Sequence, residues 1–119
     1  MNIQGKVWGL TQHLFAHNDV SIHRVEIKAG GFCSKHKHEH KWNAFFIESG
    51  ELEVAVWKND YDLTDKTLLK AGEITKVPPG EFHKFHNTST NTCIAYEIYW
   101  SQLDEGDIVR VDVGGTSEQ

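Results

Sequence analysis

Almost every periodic segment of this chain alternates apolar and polar residues with period two, and no run of ten or more residues holds a helical period. A chain patterned this way buries its apolar side chains on sheet faces rather than along helix stripes. Residues 20–28 (VSIHRVEIK), 32–38, 42–48, 51–57 (ELEVAVW), 66–69, 73–77, 82–87 and 92–100 (TCIAYEIYW) each read as a strand. The cleanest is 51–57, with Leu52, Val54 and Val56 on one face and Glu51, Glu53, Ala55 and Trp57 on the other. Turn chemistry separates the strands at Ala29-Gly30-Gly31, Ser49-Gly50-Glu51 and Pro78-Pro79-Gly80, and in the polar stretches 58–65 and 87–91. Residues 107–113 (DIVRVDV) form a last strand candidate before a frayed end. Many short strands at regular spacing predict an all-β barrel or sandwich.

With 119 residues there is room for one domain, 1–119, with its core at about 20–100, an N-terminal strand segment 1–19 and a C-terminal tail 101–119. Twelve basic against seventeen acidic side chains give a formal charge of -5, which removes a general attraction to nucleic acid or anionic membrane. No apolar run is long enough to span a bilayer, and MNIQGKVWGL lacks the regions of a signal peptide, so a cytoplasmic location is expected. Cys33 and Cys93 match no zinc-knuckle or CxxC spacing and read as buried free thiols. A sulfur ligand at Cys33 is conceivable, but its odd spacing from His36 puts it on the opposite face of a regular strand.

Residues 30–50 (GGFCSKHKHEHKWNAFFIESG) place His36, His38 and His40 at every second position. On a strand, His36 and His38 point to one face and can offer imidazole nitrogens to one ion without help from a turn. His40 has the same parity and is a candidate ligand or substrate contact. A second stretch, 72–87 (GEITKVPPGEFHKFHN), supplies His83 just after the Pro-Pro-Gly corner. His13, His17, His23 and His86 read as ordinary surface or core residues.

These two stretches resemble the two motifs of the cupin superfamily. The first motif asks for glycine, five residues, His-x-His, three or four residues, glutamate, six residues and glycine; this chain has Gly30, His36, His38, Asn43 in the glutamate position, and Gly50. The second asks for glycine, five residues, Pro-x-Gly, two residues, histidine, three residues and asparagine; Gly72, Pro78, Gly80, His83 and Asn87 meet all of it. The resemblance implies a single-domain jelly-roll barrel, a double-stranded β-helix. It also implies a mononuclear divalent transition metal held by His36, His38, Asn43 and His83, with zinc, iron, nickel or manganese all suited to an imidazole-rich set. Asparagine offers a neutral carbonyl oxygen where glutamate would bring a charge. Such a site holds metal less tightly and attracts an anionic ligand more strongly, or is a degenerate one.

Much of the chain is also similar to the C-terminal cupin domain of type II mannose-6-phosphate isomerases: Val7-Trp8-Gly9, HRVEIKAGG from His23, HKHEHKWNAFFIESGE, FHKFHN and LDEGDIVRVD over 103–112. That resemblance implies a metal-dependent isomerase or epimerase acting on, or binding, a sugar or sugar phosphate, with Glu97 lining the barrel and Arg110 near the substrate. The chain departs from the family at Asn43, at Ala44, at Tyr99 and at Val113-Gly114-Gly115. Strand parity puts Asn43 with Phe45, His83 with Phe85 and Asn87, and Cys93 with Ala95, Glu97 and Tyr99. His40, Phe45, Phe85 and Tyr99 are therefore candidate substrate contacts. Glu97 is a candidate general base or a partner of a ligand histidine, and Arg110 a substrate contact or a surface residue. A non-catalytic ligand-binding module and a three-histidine iron dioxygenase are the alternative readings, and exposed strand edges point to a homodimer.

Overall fold

The computed structural model describes residues 2–58, 63–101 and 113–117. Nine strands account for the regular structure among them: β1 Asn2–Lys6, β2 Gly9–His17, β3 Val20–Ile27, β4 Trp42–Ser49, β5 Glu51–Trp57, β6 Thr64–Lys70, β7 Ile74–Val77, β8 Phe82–His86 and β9 Cys93–Trp100. They form a six-stranded sheet in the order β1-β2-β3-β9-β4-β7 and a three-stranded sheet in the order β6-β5-β8, every pair antiparallel. The all-β expectation holds, and among the described residues no helix is long and apolar enough to cross a membrane. Residues 59–62 of the expected polar connection and 107–112 of the last strand candidate lie outside the described residues, and β6 already begins at Thr64.

The core forms because the inward sets of both sheets meet. Val25, Ile27, Phe45, Ile47, Val77, Cys93 and Ala95 come from the larger sheet, and Leu52, Val54, Leu69 and Phe85 from the smaller. Phe45 and Phe85 are among the largest fully buried side chains, and burying a ring of that size contributes roughly 1.5–3 kcal/mol. The turn from β4 to β5 requires glycine: Gly50 has φ 82, and a Cβ there would stand 2.8 Å from the Thr92 carbonyl oxygen.

Two segments differ from the expected pattern. Residues 1–19 are expected only as a strand segment, yet Asn2–Lys6 and Gly9–His17 pair as a hairpin, β1 with β2, that extends the larger sheet. The alternation of β2 is hidden in sequence because His13 pairs with His23 while Phe15 pairs with Ile22, leaving Leu14 as an extra residue. Residues 32–38 are not a regular strand. They run beside β8 through two isolated pairs, Phe32 with His86 and His36 with His83. Four steps on one side thus oppose three on the other, which inserts one extra residue between Phe32 and His36. That insertion resets the parity: Cys33 is a buried free thiol, as expected, but it lines the same cavity as His36 instead of lying on the opposite face.

Candidate metal centre

Backbone pairing brings the two histidine stretches side by side. Gly30 N–H donates to the Asn87 carbonyl and Asn87 N–H to Gly31, Cys33 N–H donates to Phe85, and His36 and His83 exchange both of their backbone bonds at 3.1 and 2.8 Å. Gly80 closes the corner before β8: at φ 85 it adopts a conformation that favours glycine, and its N–H donates to the His38 carbonyl at 2.8 Å. The Asn87 side chain fastens the far end, its Nδ2 donating to the Ile27 and Asn91 carbonyls at 3.0 and 2.8 Å while Ser89 N–H and O–H donate to its Oδ1.

This frame gathers one nitrogen each from His36, His38 and His83 within 4.8 Å of one another. His36 Nδ1 lies 2.8 Å from the Ser34 carbonyl and His83 Nδ1 3.1 Å from the Glu81 carbonyl, each two residues upstream. A neutral ring has one N–H, and donating it there leaves the Nε2 lone pair for a metal. His38 Nε2 is buried without a hydrogen-bond partner. Asn43, 1% exposed, sets its Oδ1 3.0 Å from His83 Nε2 while its Nδ2 donates to the Ala44 carbonyl at 3.3 Å. With Nδ1 protonated, that contact puts an acceptor oxygen against a lone pair, an opposition that a cation between them relieves. Burial pushes His83 down to about 4, with the neighbouring His36 and His38 acting in the same direction, and burial lowers His38 as well. Neutral imidazoles are the ligand form, so the residues present fit a divalent ion.

The remaining expected site residues fall around this group. His40 is exposed and lies outside the three-histidine group. Phe45 is 1% exposed, its ring 6.2 Å from those of His83 and Phe85. Arg110 lies outside the described residues. Phe85, Glu97 and Tyr99 line a cavity of about 490 Å³ together with His36 and Cys33. The Tyr99 hydroxyl donates to Glu97 Oε2, and its ring meets that of His38 edge-on at 5.1 Å. Burial raises Glu97, a rise that the Tyr99 hydrogen bond opposes. Burial also pushes the Cys33 thiol up to about 11, so near neutral pH it keeps its proton and accepts a hydrogen bond from Phe85 N–H at 3.2 Å.

Sequence reasoning missed the other half of the cavity. Asn2, Gln4, Lys6, Trp8, Thr11, His13 and His23 line it from the N-terminal hairpin and β3. The signal was a polar parity in NIQGK and LTQH, with Asn2, Gln4 and Lys6 on one strand and Thr11 and His13 on the other.

A model of the cupin domain matches residues 23–99, about two thirds of the chain. No curated protein matches by sequence. Similar solved structures include the Cnp3 cupin domain of Schizosaccharomyces pombe, 21% identical over 86% of this chain and 69% of that one, with a TM-score of 0.72. KdgF from Halomonas sp. is 15% identical over 88% and 90%, with a TM-score of 0.73. Oxalate decarboxylase from Lactobacillus farciminis in a formate complex is 20% identical over 86% of this chain and 31% of that one, with a TM-score of 0.74. At these identities the likeness speaks to the fold, and the domain match carries the family. The chain belongs to the cupin family, and its two motif stretches meet at the three-histidine group.

Proposed function

We propose that this protein is a mononuclear metal cupin that takes a sugar or sugar phosphate into the cavity beside His36 and acts on it as an isomerase or epimerase. The observation that carries this reading is the three-histidine group set beside a cavity that His36 of that group and one carboxylate, Glu97, both line. A divalent ion held by His36, His38, His83 and the Asn43 oxygen would supply Lewis acidity toward a carbonyl oxygen. Glu97 acts as the base. Its raised pKa makes it a stronger proton acceptor, and with Oε2 occupied by the Tyr99 hydroxyl, Oε1 is left to take a proton from the carbon beside a carbonyl and return it to the neighbouring carbon. Tyr99 holds that carboxylate in one orientation. The segments similar to mannose-6-phosphate isomerases support the sugar assignment, and the exposed β1 edge with Ile3 at 60% exposure supports a homodimer.

The test is aldose–ketose interconversion, assayed on sugars and sugar phosphates with protein loaded in turn with manganese, iron, nickel and zinc. Turnover that Glu97→Gln abolishes while metal content stays constant supports the proposal. Absence of turnover with every ion would leave a second reading, a non-catalytic binding module, which the neutral amide at position 43 favours. Substrate-dependent oxygen uptake by the iron form would instead identify a dioxygenase.

A further inference from the structure

The N-terminal hairpin has its polarity reversed. Two rungs cross the larger sheet on its inner side, Asn2–His13–His23–Glu97–Phe45 and Gln4–Thr11–Val25–Ala95–Ile47. Where these rungs pass over the core their members are apolar and buried, as at Val25, Phe45, Ile47 and Ala95. On the hairpin the same face holds Asn2, Gln4, Thr11 and His13, with Lys6 one rung further. The outer face of the hairpin carries the apolar residues, with Ile3 60% and Phe15 50% exposed. A hairpin that served only to cover the barrel would place its apolar residues inward.

All five inward residues carry hydrogen-bond donors. His13 and His23 add stacked rings, 4.9 Å apart with planes at 26°, and His23 meets Tyr99 edge-on at 5.7 Å. Among the described residues, Lys6 is the one ammonium lining the cavity and stands on the hairpin, while Glu97, the one carboxylate lining it, stands three strands away on β9.

We infer that Lys6, His13 and His23 form an oxyanion subsite that holds a carboxylate or phosphate group of the ligand, whose opposite end lies toward His36. This rests on the cavity being the ligand site proposed above, and it deepens that reading by making the ligand an anion. The lysine supplies the charge, and an imidazole donates at least one N–H in either protonation state. Burial and the neighbouring His13 keep His23 below the usual histidine range, consistent with a ring that acts as a neutral donor.

The experiment is isothermal titration of the full-length chain at pH 7 and low ionic strength with inorganic phosphate and, separately, with acetate. It compares wild type with Lys6→Gln, His23→Gln and His38→Ala, and the metal content of every sample is measured alongside. One oxyanion is expected to bind the wild type, with affinity about tenfold weaker in Lys6→Gln and in His23→Gln. His38→Ala should lose metal and keep oxyanion affinity within about threefold. Stronger binding of phosphate than acetate identifies a phosphate group, the reverse a carboxylate, and either supports the subsite. No binding to wild type, equal binding in all the variants, or binding lost with His38 would overturn it. Wild type that holds metal but no oxyanion refutes the subsite alone, whereas metal-free wild type that binds phosphate through Lys6 and His23 refutes the metal reading alone. Lys6 is exposed, so its variant keeps the test open if His23→Gln fails to fold.

Discussion

An imidazole that serves a metal has to keep one nitrogen unprotonated and fixed in direction. His83 meets both needs through burial and through the Glu81 carbonyl at its Nδ1. Its pKa is about 4 in the folded chain against about 6.5 when unfolded, so below pH 6.5 the unfolded chain binds more protons. Stability from this group is therefore complete above about pH 6.5 and is lost as pH falls toward 4, a loss of roughly 3 kcal/mol in the metal-free chain. Urea midpoints measured between pH 7 and 4 should show this slope for wild type and a shallower one for His83→Gln; parallel slopes would contradict it. Asn43 is the second residue to probe. Asn43→Asp adds a negative charge of nearly the same size beside His83 Nε2 and should raise divalent metal affinity about tenfold or more in chelator competition. The His36, His38 and His83 group was legible in the sequence because histidine spacing and the Pro-Pro-Gly corner are local. The side of Cys33 was not, since one extra residue in a pairing with a partner some fifty positions away decides it.

At the scale of elements, the site depends on the antiparallel seam between residues 30–36 and β8. Asn87 closes that seam through side-chain bonds to Ile27, Ser89 and Asn91, all within the protein. Its place in the second motif is thus a matter of architecture. Asn87→Ala removes the side-chain donor from the buried Ile27 carbonyl and should cost about 1–3 kcal/mol, read as a lower thermal midpoint, with metal affinity weakened as the seam loosens. An unchanged midpoint would remove this role. Seven of the nine strands were readable from period-two patterning and turn signals, and each of the seven places at least one side chain in the core, even β6 and β7 through Leu69 and Val77. The two that were not, β1 and β2, have no core beneath them, and their polar face turns inward.

For the molecule as a whole, the outer face of the larger sheet is rich in aromatic and branched side chains. Trp42 stacks with Trp100 at 6.0 Å, Phe46 lies 6.4 Å from Tyr96, and Ile74 is 58% exposed. A homodimer through this face or the adjoining β1 edge predicts a solution mass twice that of the chain by light scattering, and Phe46→Glu should shift it toward the monomer. A monomeric wild type at micromolar concentration would exclude it. The central claim is that the barrel holds one metal ion on three imidazoles, and elemental analysis of protein purified without an affinity tag tests it most directly. Wild type should carry close to one equivalent of a divalent transition metal, and His38→Ala, with its fold intact by circular dichroism, should carry almost none. Wild type that holds no metal even after reconstitution, or a variant that keeps its full equivalent, would contradict the account.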